Sequence, residues 1–323
     1  FNLKFMKKEL LTNKIKLIEY KIANNDEKTI SIIENIKEKT SLSNEELQSY
    51  FTKLKCNNTN LYMYLEFHKL LMRLYTNKDT VLDMRDFIIK FRSVTIDNGN
   101  QYISRGQNDA SEFLVFLIDY LHESHSSSVS CTVDDPKEKL SDVELEKLDL
   151  KDRIQITFIK YIKETVSNNY TSLINNLHHY ILNMIKCSKC GYANLSNSME
   201  NILCLSLYQK DNKDNILSIY DTLDKHFDDE VLEGYSCDKC KNKDKNIISK
   251  KFLTFPDTFI ICLKRTGYNV TTNSMEKINV TVEYPMILNL KKYYPKYLIK
   301  DEKDGIYKLK SVINQIRSEE RRV

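Results

Sequence analysis

Apolar positions recur at helical spacing through the first third of the chain and at strand spacing through the last. Ile15, Leu17, Ile18 and Ile22, and again Leu65, Leu70, Leu71 and Leu74, fall near the 3.6-residue period that lays one stripe of side chains against a core. Few turn residues interrupt residues 1–95, which read as mostly helical. The clearest periodicity runs from Asp109 to His122, where Phe113, Phe116, Leu117, Tyr120 and Leu121 stand at i, i+3, i+4, i+7 and i+8. This helix is apolar on nearly every side, so it is expected inside.

Ser124 to Lys151 breaks the pattern with a serine cluster and then DDPKEKLSDVELEKLDLKD, charged and without periodicity until its end. It reads as a surface insertion with room for one short solvated helix. From Cys187 onward the runs shorten and become β-like: Ile202–Leu207, Phe259–Leu263 and Ile278–Tyr284 are rich in Ile, Val, Tyr and Phe. Helices first and strands later predict an α+β chain, a helical lobe beside a mostly antiparallel sheet. The only repeated unit is the CxxC pair described below.

At 323 residues the chain suits one multi-lobed domain or two ordinary ones. Its 41% hydrophobic residues give it a core, and no apolar run approaches the length of a membrane span. The 49 basic and 45 acidic side chains are interspersed, so no stripe of one sign points to nucleic acid. Abundant Asn, Lys and Ile with only 6 Gly and 4 Pro look like the bias of an AT-rich genome, as in a parasite or a large virus. No signal-peptide pattern opens the chain, which begins at Phe1 and not at Met, so the natural N-terminus is expected upstream.

Four of the eight cysteines form two CxxC units, Cys187-Ser-Lys-Cys190 and Cys237-Asp-Lys-Cys240. A CxxC turn makes two thiolates converge, and two such turns give the tetrahedral sulfur set that suits a structural Zn²⁺, with no position left for a catalytic water. The residues from Gly191 to Ser236 would then form an arm tied at its base by metal. A redox CxxC or two unrelated buried pairs is the bland reading of the same residues. Metal-type spacing predicts a reducing, intracellular compartment. Cys204 and Cys262 lie in apolar runs, NILCLSL and FIICLKR, where a free cysteine behaves as a small core residue, and neither they nor Cys56 and Cys131 are assigned chemistry from sequence.

The stretch Gln107 to Glu123, QNDASEFLVFLIDYLHE, resembles the QQDAxEFLxxLLDxLHE box of the ubiquitin-specific proteases. IKCSKCGYANLSNSMENILCLSL, then LEGYSCDKCKNKDKNIISKKFLTFPDTFIICLKR, resemble that family's two zinc knuckles with their trailing strands. Lys277-Ile278, Val282-Glu-Tyr284-Pro285, Leu288 and Leu290 are similar to its KI…V.FP..L.L segment, so the likeness extends over roughly residues 60–315. It implies the hand of the papain-like cysteine-peptidase superfamily, with helical thumb, zinc-ribbon fingers and antiparallel palm sheet. The implied division is a helical N-terminal segment over 1–60, a thumb over 61–130, a charged insertion over 131–152, fingers over 153–262 and part of the palm over 263–323. The partner it implies is ubiquitin or a ubiquitinated protein. Asp109 and Glu112 would face ubiquitin's basic tail, where carboxylates bind arginine strongly. The same two residues also fit a helix capping box.

The family's chemistry is harder to find. Its nucleophile sits in a GNTCYMNS-like box, whereas Cys56 stands in LKCNNTNLYMYLEF with Leu61 before the tyrosine. Tyr307, Leu309 and Val312 match the opening of its histidine box, but Gln315 takes the place of the first histidine. His68, His122, His125, His178, His179 and His226 all lie far upstream, and the His178-His179 pair in INNLHHYIL reads as buried structural imidazole. No catalytic residue is therefore assigned. Two function classes stay open: a deubiquitinase domain inactive as the chain stands, or a dead ubiquitin-binding or assembly protein that keeps the fold, in a virion if the genome is viral. A zinc-ribbon nucleic-acid binder fits less well, since acids offset the bases near the knuckles.

Overall fold

The computed structural model describes residues 83–96, 109–126, 136–167, 169–208, 216–269, 273–295 and 305–313, with Phe67, Leu70, Leu71, Arg73 and Leu74. The chain divides into two compact units, Asn2–Val129 with Asn168–Leu173, and Ser130–Ser167 with Ile174–Val323.

The first unit contains helices α1 (Arg85–Ile96) and α2 (Ala110–His125). Its core is aromatic: Phe87 packs between Phe67 and Phe91 at ring-centroid distances of 6.1 and 6.2 Å, and Phe91 meets Phe113 at 4.9 Å. Helix α2 starts where its cap allows, the Asp109 carboxylate accepting from the backbone N–H of Ser111 and Glu112. Of the stripe the periodicity predicts, Leu117, Tyr120 and Leu121 are buried and Phe113 and Phe116 half-buried, while Ile118, outside it, is buried as well. Glu112, Asp119 and Glu123 keep one side of the helix in solvent, so it lies at a surface and not inside on every side.

The second unit is built on a four-stranded antiparallel sheet of order β2-β1-β6-β5. Strand β1 (His179–Lys186) pairs along its whole length with β2 (Ala193–Glu200), and β6 (Asn246–Thr254) lies on its other side with β5 (Glu230–Leu232) at the edge. The segment expected as an insertion contains a 3-10 turn (Pro136–Lys139) and a one-turn helix, α3 (Asp142–Leu145), whose Leu145 is buried. At its end begins a 17-residue helix, α4 (Leu150–Val166), capped by Asp149 and burying Ile154, Ile156 and Val166. The α4 side chains Phe158 and Tyr161 meet Tyr180 of β1 edge-on. The short α5 (Ser172–Leu177) leads into β1.

The expected late strands form, as β3 (Leu203–Ser206), β7 (Ile261–Lys264) and β10 (Thr281–Glu283). Two of the pairings are parallel: β3 with β7, and β10 with β4 (Ile216–Ser218). β8 (Thr266–Asn269) pairs antiparallel with β9 (Ser274–Lys277), and β11 (Ile287–Asn289) with β12 (Ile306–Lys308). Helix α6 (Ile219–Phe227) carries a reciprocal capping box between Ser218 and Asp221. Its Ile219, Leu223 and Phe227 join Ile181, Leu203, Leu205, Phe252, Val282 and Leu290 in the main core.

Candidate metal centre

The two knuckles lie at one end of the sheet because each is spliced to a strand terminus. Cys187 follows β1 and Cys240 precedes β6, and those strands are neighbours. Both turns close alike: the Cys187 N–H donates to Tyr192 O at 2.8 Å and Gly191 N–H to Cys187 O at 3.0 Å, while Cys237 N–H donates to Asn242 O and Lys241 N–H to Cys237 O, both at 2.9 Å. Each turn needs a left-handed residue after its second cysteine, supplied by Gly191 (φ 69°) in one and Lys241 (φ 57°) in the other.

All four sulfur atoms lie within 4.8 Å of one another, with Cys187 Sγ 3.6 Å from Cys240 Sγ and Cys190 Sγ 3.7 Å from Cys237 Sγ. A Zn–S bond of about 2.3 Å gives a tetrahedron with edges of about 3.8 Å, so the closest separations suit that ion. Cys187 and Cys237 are buried, Cys240 is half-buried and Cys190 is exposed.

Protonation also favours a cation here. Backbone N–H groups of Cys190, first, and Lys189 pull the Cys187 thiol down to about 6 against its burial. Cys190 receives a hydrogen bond from the Tyr192 backbone, but partial desolvation of its sulfur and the thiols of Cys240, Cys187 and Cys237 push it up to about 12. The lowered Cys187 thiol and the raised Cys190 thiol thus pull against each other, and a divalent ion bound by both sulfurs removes that conflict.

A polar shell supports the turns. Asn242 Nδ2 lies 3.9 Å from Cys187 Sγ and donates to Ser188 Oγ and to Asp244 O. Buried Asn246 donates to Tyr235 O at 2.7 Å, and Asn194 donates to the Tyr235 hydroxyl and to Asp238. Arg153 of α4 donates to Ala193 O at 2.7 Å and lies over the Tyr192 ring. None of these was named from sequence; their one local signal was density of Asn and Asp in the turns.

The other expected residues fall as follows. Asp109 and Glu112 are both exposed at the start of α2. The Ser111 hydroxyl and the backbone N–H groups of Ser111 and Glu112 hold the Asp109 carboxyl below its ordinary value. This is the accepting half of the capping box. Cys56, Cys131, His68 and Gln315 lie outside the described residues. His122 Nδ1 is 2.8 Å from Thr171 Oγ1, and His178 and His179 are buried. Tyr307, at the start of the histidine-box likeness, donates its hydroxyl to Pro256 O at 2.6 Å.

A family profile described as ubiquitin carboxyl-terminal hydrolase matches residues 29–319. The chain belongs to that family. Ubiquitin carboxyl-terminal hydrolase 37 of Gallus gallus is 27% identical over 207 residues, 64% of this chain and 20% of its own length. Ubiquitin carboxyl-terminal hydrolase 4 of Vanderwaltozyma polyspora is 25% identical over 206 residues, 64% of this chain and 22% of its own. This chain therefore spans about a fifth of the curated relatives it matches. Among solved structures, the SAGA Ubp8/Sgf11/Sus1/Sgf73 DUB module bound to ubiquitin aldehyde superposes with a TM-score of 0.51 at 18% identity, covering 79% of this chain and 49% of that one. The same module bound to monoubiquitin gives 0.50 at 17%, covering 77% and 48%. The fold is thus the family's α+β, papain-like fold with a helical segment, a ribbon carrying the four cysteines and an antiparallel sheet. No helix among the described residues is long and apolar enough to cross a membrane.

Proposed function

We propose that this chain is the ubiquitin-recognising domain of a thiol-dependent deubiquitinase, and that these 323 residues bind ubiquitin without cleaving its conjugates. The observation that carries the reading is the four-cysteine centre at the end of the β2-β1-β6-β5 sheet, in a chain of this family. Cys187, Cys190, Cys237 and Cys240 hold one Zn²⁺ between them, and with four sulfur ligands the ion braces the arm and offers no site for water. The arm then presents a fixed surface to ubiquitin, in the reducing interior where such thiolates persist. Exposed Asp109 and Glu112 at the α2 N-terminus receive ubiquitin's basic tail. Residues 61–130 serve as thumb, 153–262 as fingers and 263–323 as part of the palm.

Hydrolysis needs a thiolate with a base within hydrogen-bond reach, and the last histidine of these residues is His226, on α6. Losing the nucleophile or the base of such a triad removes many orders of magnitude in rate. The test is titration of the purified chain with ubiquitin, and its reaction with ubiquitin bearing a C-terminal electrophile. Saturable binding without an adduct is expected. Glu112→Lys should weaken binding about tenfold at low salt and less at high salt. An adduct lost in Cys56→Ala overturns the inactivity, and no binding at all overturns the ubiquitin reading. The solved module in which the neighbouring fold sits with three other proteins supports a second reading, an assembly component, which predicts co-assembly without ubiquitin affinity.

A further inference from the structure

Two cysteines outside the metal centre are brought together by a pairing 58 positions apart in sequence. Strand β3 runs parallel to β7, and the register sets Cys204 opposite Cys262. Leu203 and Leu205 of β3 are fully buried in the main core, and Ile261 and Leu263 of β7 pack against it. Alternation along both strands therefore puts Cys204 and Cys262 together on the opposite face, where Ser206 and Lys264 are exposed. Both cysteines are half-buried and both are free thiols. Neighbouring strands are about 4.8 Å apart, and a disulfide accepts Cα separations of about 4.4–6.8 Å. Burial and then the neighbouring Cys262 raise the Cys204 thiol, while Lys264 works against that rise.

We propose that Cys204 and Cys262 form a reversible dithiol site, oxidised by small-molecule disulfides to a cross-strand disulfide. The site is independent of the metal centre and of the ubiquitin reading. One protein thiol loses its proton and its thiolate attacks a sulfur of the small disulfide, forming a mixed disulfide and expelling one small thiolate. The second protein thiolate attacks the protein sulfur of that mixed disulfide and expels the other. The two protons lost by the cysteines end on the two departing thiols, so two protein thiols are oxidised and one disulfide is reduced. Closure requires the Cβ atoms to approach to about 3.8 Å, nearer than the strand spacing. Excess small thiol reverses the bond through the same two exchanges, which suits a switch better than a permanent staple.

The test uses the zinc-loaded 323-residue chain treated with oxidised glutathione, then digested without reduction and mapped by mass. The expected product joins Cys204 to Cys262, reverts with excess reduced glutathione and leaves the bound zinc unchanged. In Cys204→Ser and in Cys262→Ser the remaining cysteine has no partner, so its mixed disulfide with glutathione should accumulate about tenfold or more over wild type, because ring closure no longer competes. The wild-type map alone decides the matter if either variant folds poorly. Stable mixed disulfides on both residues with no linked peptide, or linkage of either to another cysteine, would overturn the proposal.

Discussion

The two ends of the β1–β6 ladder are held by opposite means. At one end the strands run into the knuckles, where few apolar side chains are buried and four sulfur atoms converge. At the other, Phe252 is fully buried, with ring centroids 4.7 Å from Phe227, 5.0 Å from Phe255, 5.7 Å from Phe259 and 5.6 Å from His179. Between them, Asn183, Met184, Ile185, Lys250 and Lys251 are half-buried. At the knuckle end the sheet residues offer little apolar area to bury, Lys186 and Ile247 being exposed, so thiols take its place there. Where α6 and the later strands cover the sheet, the hydrophobic effect suffices.

The largest effect should come from the sulfur end. Structural zinc contributes about 10 kcal/mol or more in small zinc domains, so chelation or Cys187→Ser should exceed any single core truncation and any change at Cys131. Hydrogen exchange should show protection lost first at Lys186, Ala193 and Ile247, and retained at Ile181 and Phe252. Simultaneous loss at both ends would break the comparison. Next comes Phe252→Ala, which removes a side chain with ring contacts on four sides and should lower unfolding stability by about 3–5 kcal/mol. Denaturant melts should register it while metal content stays at about one zinc per chain.

Acid should weaken the core end through His179. Its ring is fully buried, with Nε2 3.8 Å from a Glu200 carboxylate oxygen and neither ring nitrogen hydrogen-bonded among the described residues. Burial, then His178 and His226, bring it down to about 3 from an ordinary 6.5. The unfolded chain binds the proton first, so this residue's stabilising contribution is complete above pH 6.5 and is lost as pH falls toward 3, by about 1.4 kcal/mol per unit. Urea melts of the zinc-loaded protein at pH 7 and 5.5 should differ more for wild type than for His179→Gln. The smallest effect concerns the two turns: Lys241→Gly should stabilise by about 1 kcal/mol, and Gly191→Lys should cost about as much, since only one turn has the residue its left-handed φ favours. Paired thermal melts measure both.

What the sequence disclosed was what neighbours in sequence decide. The CxxC units close their own turns, and α2 advertises itself by a stripe over three turns and by Asp109. Helix α4 escaped because Lys151, Asp152, Arg153, Lys160 and Lys163 continue the charge of the preceding stretch and mask the positions of Ile154, Ile156 and Val166. Helix α6 also went unread, although Ser218 and Asp221 stand three apart ahead of an apolar stripe. The parallel partners of β3 and β4 were not legible, because a strand's own residues do not state which distant strand it meets. For the same reason Cys204 and Cys262 read as two solitary core residues.

The span of the sulfur contacts has a consequence for the order in which the molecule assembles. Cys190 and Cys237 are 47 positions apart, and Cys187 and Cys240 are 53. Closing a loop of that length in a disordered chain costs about 3.5 kcal/mol of entropy, and it must be met before β1 can find β6. An ion captured early by the two local CxxC turns would meet that cost before any strand pairs, and the ladder could then zip from the sulfur end. Metal supply during synthesis would thus set how fast this chain folds, as well as how firmly its arm is held afterwards.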